Sequence, residues 1–343
     1  MMKKPRILVT GGLGYIGSHT VVELQDEGYE VIIIDNLSNS NIKTLDNIFK
    51  ISGIIPVFYN IDMLNHDALR NVFIQEAKFD AVIHFAAYKA VAESVKYPLK
   101  YYKNNIGCLL NLLDCMIEFN TNNIVFSSSA TVYGDVDELP ALETSPLKPS
   151  LSSYGSTKQF GEDILQKTTS VSSINAISLR YFNPVGAHQS SFLGEYPNGI
   201  PNNLMPYITR VALGELDKLI VYGNNYNTLD GTCIRDYIHI TDLAHAHIKS
   251  CKRLIGQSNM SKYENFNIGT GQGYSVLQVI KAYEDYNNIK INYEIGPRRE
   301  GDTPILFANT NLAKNKLGWE TKLSLKDIVT SEWKWSMYLS KNI

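Results

Sequence analysis

The chain has 343 residues, 44% hydrophobic and 19% charged, with a formal net charge of −2 at pH 7. That is the balance of an ordinary soluble globular protein, long enough for one large or two modest domains. A near-neutral total with no long basic run gives no electrostatic case for nucleic acid, and no apolar stretch approaches the roughly 20 residues that span a bilayer. Cys108, Cys115, Cys233 and Cys251 form neither a CxxC pair nor a metal-ligand spacing, which fits a reduced, cytoplasmic setting and no structural metal.

The opening "MMKKPRILVTGG" has too short an apolar run for a signal peptide and reads as a first strand over residues 6–10. "VTGGLGYIGSH" follows and opens a helix. Gly12, Gly14 and Gly17 satisfy G-x-G-x-x-G, while Gly11, Gly14 and Gly17 give an evenly spaced G-x-x-G-x-x-G. Glycine is needed where backbone turns tightly, approaches a pyrophosphate or packs helix against strand, and the helix N-terminus offers N–H groups and a positive dipole end to phosphates. The next strand ends in Asp35, eighteen residues after Gly17. A carboxylate there accepts hydrogen bonds from adenosine ribose hydroxyls and repels a 2′-phosphate, so the expected cofactor is NAD rather than NADP. Asp62, at the end of the third strand candidate, is placed to face the adenine.

Six near-continuous apolar runs, residues 6–10, 30–35, 54–62, 80–86, 123–129 and 175–182, alternate with amphipathic stretches. Such runs suit strands buried on both faces, and the βα rhythm predicts a doubly wound parallel sheet with its ligands at the C-terminal strand ends. The fifth run ends in Ser127, Ser128 and Ser129. A helix beginning after Pro149 then carries Tyr154 and Lys158 one turn apart on one face. Taking the proton from an alcohol while its carbon loses a hydride calls for a base. A phenol titrates near pH 10, and lowering that by about 3 takes roughly 4 kcal/mol, which a lysine ammonium and a nicotinamide charge can supply. The Tyr-x-x-x-Lys spacing alone decides nothing, because "YNNIK" repeats it at Tyr286 and Lys290. That copy has no serine-ended strand before it and reads as the end of a surface helix.

After about residue 183 the rhythm breaks into the Pro-, Gly- and Asn-rich stretch 182–203 and shorter elements. This predicts a smaller mixed α/β part at 184–343, beside a cofactor domain at 1–183 to which residues 223–250 return. "HAH" at 245–247 suggests a metal site only superficially, since residues two apart on a helix point to different sides.

Taken together, "VTGGLGYIGSHT", "IDNLSNS", "VIHFAAYKAVAESV", "YYKNN", "FSSSATVYGD", "YGSTK", "LRYFNPVGAH", "GIPNNLMPYI", "DGTCIRDYIHI" and "PRREGD" closely resemble the extended short-chain dehydrogenase/reductase superfamily, and within it the UDP-glucose 4-epimerases. The resemblance runs through almost the whole chain. It implies a Rossmann-type NAD domain with a smaller nucleotide-sugar domain, and a homodimer. Tyr154 would then be catalytic base and acid, Lys158 its electrostatic partner and Ser129 the helper. Matching cofactor positions are Gly11, Gly12, Gly14, Tyr15, Ile16, Gly17, Asp35, Asn36, Leu37, Ser38, Asn39, Ser40, Asp62, Met63, Phe85, Ala86, Ala87, Lys89, Asn104, Ser127, Tyr154, Lys158 and Phe182. Matching sugar-nucleotide positions are Lys89, Ser129, Tyr154, Asn183, Asn202, Asn203, Leu204, Tyr222, Arg235, Arg299, Asp302 and Leu306. Arg235 and Arg299 suit diphosphate, because guanidinium forks pair well with phosphate oxygens.

The implied reaction is reversible oxidation of a UDP-hexose at C4, turnover of the keto sugar, and return of the hydride to its other face, with the NAD retained. Binding energy should reside in the UDP, since the sugar must turn. Nucleotide-sugar dehydratases and decarboxylases of the superfamily place an acid after the strand-five serine or threonine, where this chain has Ala130 and Thr131. A non-catalytic NAD-sensing protein would tend to lose the tyrosine or lysine, and both are present. Leu306 stands where relatives carry tyrosine or a small cysteine, so the implied preference is for plain hexoses, with UDP-N-acetylglucosamine epimerisation as the alternative.

Overall fold

The computed structural model describes residues 4–197, 199–201, 203–299 and 302–342; Asn202, one of the expected sugar-nucleotide positions, lies outside them. The six apolar runs are strands: β1 (Arg6–Thr10), β2 (Glu30–Asp35), β3 (Val57–Asn60), β4 (Ala81–His84), β5 (Asn123–Ser129) and β6 (Asn175–Tyr181). β3 and β4 are shorter than the runs at 54–62 and 80–86, and their C-terminal ends coincide with those of β2 and β1. Asn60 pairs with Asp35, the last residue of β2, and His84 with Thr10, the last of β1. A seventh strand, Tyr263–Ile268, adds in parallel beside β6. The sequence pattern did not place it in this sheet, because Glu264, Asn265 and Asn267 break up the apolar run of "YENFNI".

All seven strands are parallel, in the order Tyr263–Ile268, β6, β5, β4, β1, β2, β3. The chain order reverses between β4 and β1, and a doubly wound sheet opens a ligand crevice at the carboxyl ends of such a pair. Side chains alternate across the sheet, so Ile7, Val9 and Ile33 enter one core and Leu8, Ile32 and Val82 the other. The helices Tyr15–Asp26 and Ile240–Ile255 cover the first face, and His66–Glu76, Gly107–Glu118 and Ser153–Val171 the second.

The remaining strands are short. Asn183–Val185 pairs in parallel with Tyr237–His239, and Leu219–Tyr222 with Tyr293–Gly296. Ile234–Arg235 is the centre of a three-stranded ribbon between Tyr274–Ser275 and Ile305–Leu306. Around them the helices Leu204–Ala212, Val276–Asn287 and Leu325–Asn342 close a third core on Met205, Ile208, Tyr283 and Val329.

Two expectations about stray motifs are settled by contacts. His245 Nε2 meets Glu23 at 2.9 Å, while His247 Nε2 meets the Tyr181 hydroxyl at 2.5 Å and its Nδ1 the Leu243 carbonyl at 2.9 Å. The two histidines therefore serve separate structural pairs. Tyr286 is half exposed near the end of its helix, which Asn288 stops with φ of +53°. Lys290 lies beyond that stop and pairs with Glu284 at 3.5 Å, so the second Tyr-x-x-x-Lys is no helical pair. Among the described residues, no helix is long and apolar enough to cross a membrane, and no cluster of histidine, cysteine or acidic groups is placed to hold a metal.

One buried acid in this frame makes stability depend on pH. Burial, reinforced by the Glu195 charge, pushes the Glu332 carboxyl up to about 8 from 4.5. A carboxyl with a raised folded pKa contributes its stability below the unfolded value, and that contribution is lost as pH climbs from about 4.5 to about 8. Glu332→Gln is therefore expected to stabilise the protein at pH 8 by up to about 4 kcal/mol and to change little at pH 4.5. Urea unfolding at both pH values measures this; an equal effect at each would contradict it.

Candidate active site

The crevice between β1 and β4 is lined by the glycine loop. Gly11 turns with φ of +69°, and a Cβ on it would come within 2.8 Å of the Ala86 nitrogen. The loops after β1 and β4 are therefore in contact. A Cβ on Gly17 would lie 2.2 Å from the Gly11 carbonyl oxygen, so helix Tyr15–Asp26 packs on that loop only with a bare position there. Gly14 differs: the one atom near its Cβ position is the Gly11 oxygen at 3.3 Å. Nothing inside the protein demands glycine at 14, but a phosphate approaching the helix end does. Gly14 is the helix N-cap without a side-chain cap, and the first turn has no acidic residue. The donors of the helix end thus meet no competing side-chain anion.

Asp35 is buried at the end of β2, where Oδ2 accepts from the Leu13 nitrogen at 3.1 Å. Oδ1 accepts from the Leu37 nitrogen at 2.9 Å and the Ser40 hydroxyl at 2.7 Å. Leu37 has φ of +58°, an uncommon strain for a side chain of that size, and the Asp35 hydrogen bond holds it. Asn36, Ser38 and Asn39 are exposed around this turn, with Asn36 Nδ2 3.4 Å from Asp62. Met63 is buried beside them. These residues and the glycine loop fit a dinucleotide: bare backbone for its diphosphate, and a carboxylate with a lone pair in reserve for a ribose.

The acid–base group is one helix set against one strand. Ser152 caps helix Ser153–Val171, its hydroxyl oxygen accepting from the Gly155 nitrogen at 3.1 Å. Lys158 is buried and donates to the Ser127 carbonyl of β5 at 2.5 Å. Its ammonium also lies 5.7 Å from the Tyr154 ring centre and 5.1 Å from that of Phe126. The Ser129 side chain is near enough to the Tyr154 hydroxyl to favour its ionised form. The expectation of a depressed tyrosine is not met by these groups. Burial pushes Tyr154 up to about 12 against the opposing effect of Ser129, and pushes Lys158 down to about 7 against the Glu162 charge. Both move the same physical way, towards the neutral form, because a low-dielectric pocket penalises either charge.

Three features of this site were not singled out in the sequence. Glu162, one turn beyond Lys158, accepts from Ser128 Oγ at 2.5 Å and from Arg180 at 3.0 and 2.7 Å, all buried. Its i+4 spacing from Lys158 was the available signal. Asn105, in a π-helical turn at Tyr102–Ile106 with Asn104, bonds Tyr88 at 2.9 and 3.1 Å and the Thr157 hydroxyl at 3.1 Å. It ties the loop after β4 to the Tyr154 helix. The Thr131 hydroxyl is buried without a hydrogen-bond partner two residues past Ser129.

On the far side, Arg235 and Leu306 are register partners in the three-stranded ribbon. Arg235 Nη2 lies 3.6 Å from Asp302, whose backbone nitrogen donates to the Arg299 carbonyl at 3.3 Å. The exposed Arg299 guanidinium lies 4.5 Å over the Tyr222 ring. Asn183 is exposed just past β6 and the buried Phe182, and the exposed Asn203 precedes the half-buried Leu204. Lys89 donates to Glu195 at 2.6 Å and stands over the ring of Tyr15, whose hydroxyl donates to the Gly186 carbonyl at 2.5 Å. Ile16 and Phe85 to Ala87 are partly buried along the crevice wall.

This arrangement has close counterparts. A family model described as GDP-mannose 4,6 dehydratase matches residues 8–331. The UDP-glucose 4-epimerase of Bacillus subtilis is 47% identical over 330 residues, 96% of each chain. The chain belongs to the UDP-glucose 4-epimerase family. A UDP-glucose 4-epimerase from Stenotrophomonas maltophila, with bound NAD and formylated UDP-arabinopyranose, superposes with a TM-score of 0.95 at 43% identity, covering 99% of this chain and all of the other. The Bifidobacterium longum enzyme in complex with NAD⁺ and UDP gives 0.93 at 44%, covering 98% and 100%. The extended Rossmann-type fold expected from the sequence is the fold of these epimerases.

The two glycine environments separate stability from cofactor binding. Gly17→Ala is expected to cost about 1–3 kcal/mol of unfolding free energy through overpacking. Gly14→Ala is expected to stay within about 1 kcal/mol of wild type yet lose at least tenfold in NAD affinity. Chemical denaturation with NAD titration checks both. Equal affinities for Gly14→Ala and wild type would rule out the backbone approach at 14.

Proposed function

We propose that this chain is an NAD-dependent UDP-glucose 4-epimerase, interconverting UDP-glucose and UDP-galactose in the cytoplasm. The observation carrying the reading is the convergence of Ser129, Tyr154 and Lys158 beside the Gly14 cradle, with Ala130 and Thr131 where an eliminating enzyme needs an acid. Residues 1–183, with the helix Ile240–Ile255 and the strand Tyr263–Ile268, are read as the NAD-binding domain and the rest of 184–343 as the UDP-sugar domain; the return expected at 223–250 is shifted along the chain, because Ile234–Arg235 lies in the sugar-side ribbon.

Bound NAD supplies a two-electron acceptor and donor for the sugar C4 carbon, and a positive ring charge that draws the Tyr154 phenol down from about 12. Gly14 and the uncapped helix end hold its diphosphate and Asp35 its adenosine ribose. Tyr154 takes the C4 hydroxyl proton and later gives it back, with Ser129 orienting the same hydroxyl. The Lys158 ammonium, held by Ser127 and favoured by Glu162, stabilises the phenolate while the proton is away. Arg235 and Arg299 neutralise the UDP diphosphate, so the nucleotide stays clamped while the hexose turns. Leu306 bounds the space beside the sugar and favours plain hexoses over N-acetylated ones. Thr131, with its unpartnered hydroxyl, faces no competing protein group for a sugar oxygen.

The family's homodimer suits this chain as well. Phe160 and Leu110 are about half exposed on the helices Ser153–Val171 and Gly107–Glu118, and Tyr102 packs 6.0 Å from Phe160. Two copies burying these helices would cover that surface.

Tyr154→Phe is expected to abolish turnover of UDP-glucose, by at least 10³-fold, while UDP binding stays within about threefold. Residual turnover above a tenth of wild type would remove Tyr154 from the proton path. Equal, high wild-type activity on UDP-N-acetylglucosamine would overturn the hexose preference, and Leu306→Ala is expected to raise that activity. Phe160→Glu is expected to convert a dimer to a monomer in sedimentation equilibrium; a wild-type monomer would end the dimer proposal.

A further inference from the structure

Asp236 follows Arg235 directly and is completely buried, yet among the described residues no cation pairs with it. Its carboxylate is instead spent on four donors. Oδ1 accepts from the Thr270 nitrogen at 2.8 Å and the Thr270 hydroxyl at 2.6 Å. Oδ2 accepts from the Gly271 nitrogen at 3.0 Å and the Ala308 nitrogen at 3.1 Å. Its own backbone carbonyl accepts from the Asn183 nitrogen at 2.9 Å. Gly269 passes so close that a Cβ there would lie 2.5 Å from Oδ2.

The segments joined in this way are the ones that carry the proposed sugar-nucleotide contacts. Thr270 and Gly271 follow the last strand of the main sheet, and Asn183 follows β6. Ala308 is two residues past Leu306, which pairs with Arg235. One side chain thus registers the Arg235–Leu306 ribbon against the carboxyl edge of the sheet that holds the cofactor cradle. A carboxylate offers about four lone-pair sites, which match four donors; an amide offers one oxygen and turns an NH₂ towards two of them. Burying a charge without a cation is costly unless it is fully hydrogen-bonded, and the four donors meet that condition here, fixing the position of every segment that supplies one.

We propose that Asp236 is a positioning residue for UDP-sugar binding, setting the place of Arg235 and Leu306 relative to the Tyr154 helix through the Thr270–Gly271 and Ala308 amides. This rests on the epimerase reading. Asp236 touches neither substrate nor cofactor in this role. Its loss should weaken nucleotide binding while leaving the proton-transfer group intact.

The test uses the full chain loaded with NAD, with UDP as the probe. For Asp236→Asn, calorimetric UDP Kd and UDP-glucose KM are expected to rise at least tenfold, with kcat within threefold and NAD content unchanged. Thr270→Ala, which removes one donor and leaves the carboxylate, is expected to raise KM by about two- to fivefold, and it carries the test if Asp236→Asn does not fold. On an Arg235→Ala background, Asp236→Asn should add less than twofold to Kd, since its effect passes largely through that guanidinium. Fully multiplicative effects, an unchanged KM in both single variants, or a fall in kcat at constant KM would each overturn the assignment. A wild-type chain that fails to bind UDP would instead refute the epimerase reading itself, which keeps the two failures distinct.

Discussion

The site depends on one hydrogen bond between a helix and a strand. Lys158 donates a hydrogen bond to the Ser127 carbonyl from a buried position, 2.5 Å away. A buried ammonium is costly, and here the carbonyl, the Phe126 ring and the field of Glu162 offset that cost together. Because the anchor is on β5, the residue one turn earlier on the helix is carried to the end of the same strand. There Tyr154 meets Ser129. A second bond from Ser128 Oγ of the strand to Glu162 of the helix holds the same pair of elements, and Ser152 capping the helix start keeps its first turn in place.

That contact works because of where β5 lies. The strand order reverses between β4 and β1, so the carboxyl ends of β1, β4 and β5 surround one crevice. The glycine loop takes one wall, Phe85 to Ala87 another, and the Ser129–Tyr154 pair closes it. Asn105 bonds both the loop after β4 and the helix that bears Tyr154, so these walls move as a unit. Burial drives both Tyr154 and Lys158 towards neutrality. In the proposed mechanism the positive charge that would make the phenol a useful base would therefore come from the cofactor as well as from the lysine.

The sugar side is built differently, on strands of two to four residues. Such short elements have little ladder of their own to set register. Their position is taken from side-chain hydrogen bonds, above all the four that end on Asp236. This division suits a reaction in which the nucleotide stays fixed and the hexose turns. In the proposed function the chemistry would sit on the parallel sheet and the selectivity of the pocket on the ribbon that carries Leu306.

The glycine spacing, Asp35, the serine-ended run and the Tyr154–Lys158 pair were legible in the sequence because each is local chemistry: a turn, a strand end, or one helical turn. Six of seven main-sheet strands were legible for the same reason, since burial on both faces leaves a continuous apolar run. Tyr263–Ile268 was not, because polar residues interrupt its apolar run and its pairing with β6 spans more than 80 residues. Nor were Glu162, Asn105 and Asp236 recognisable as parts of a site. Their partners lie at separations of 17 to 72 residues, and only tertiary packing brings those groups within hydrogen-bonding distance. Local backbone geometry is encoded residue by residue, whereas the satisfaction of a buried charge is a property of the assembled fold.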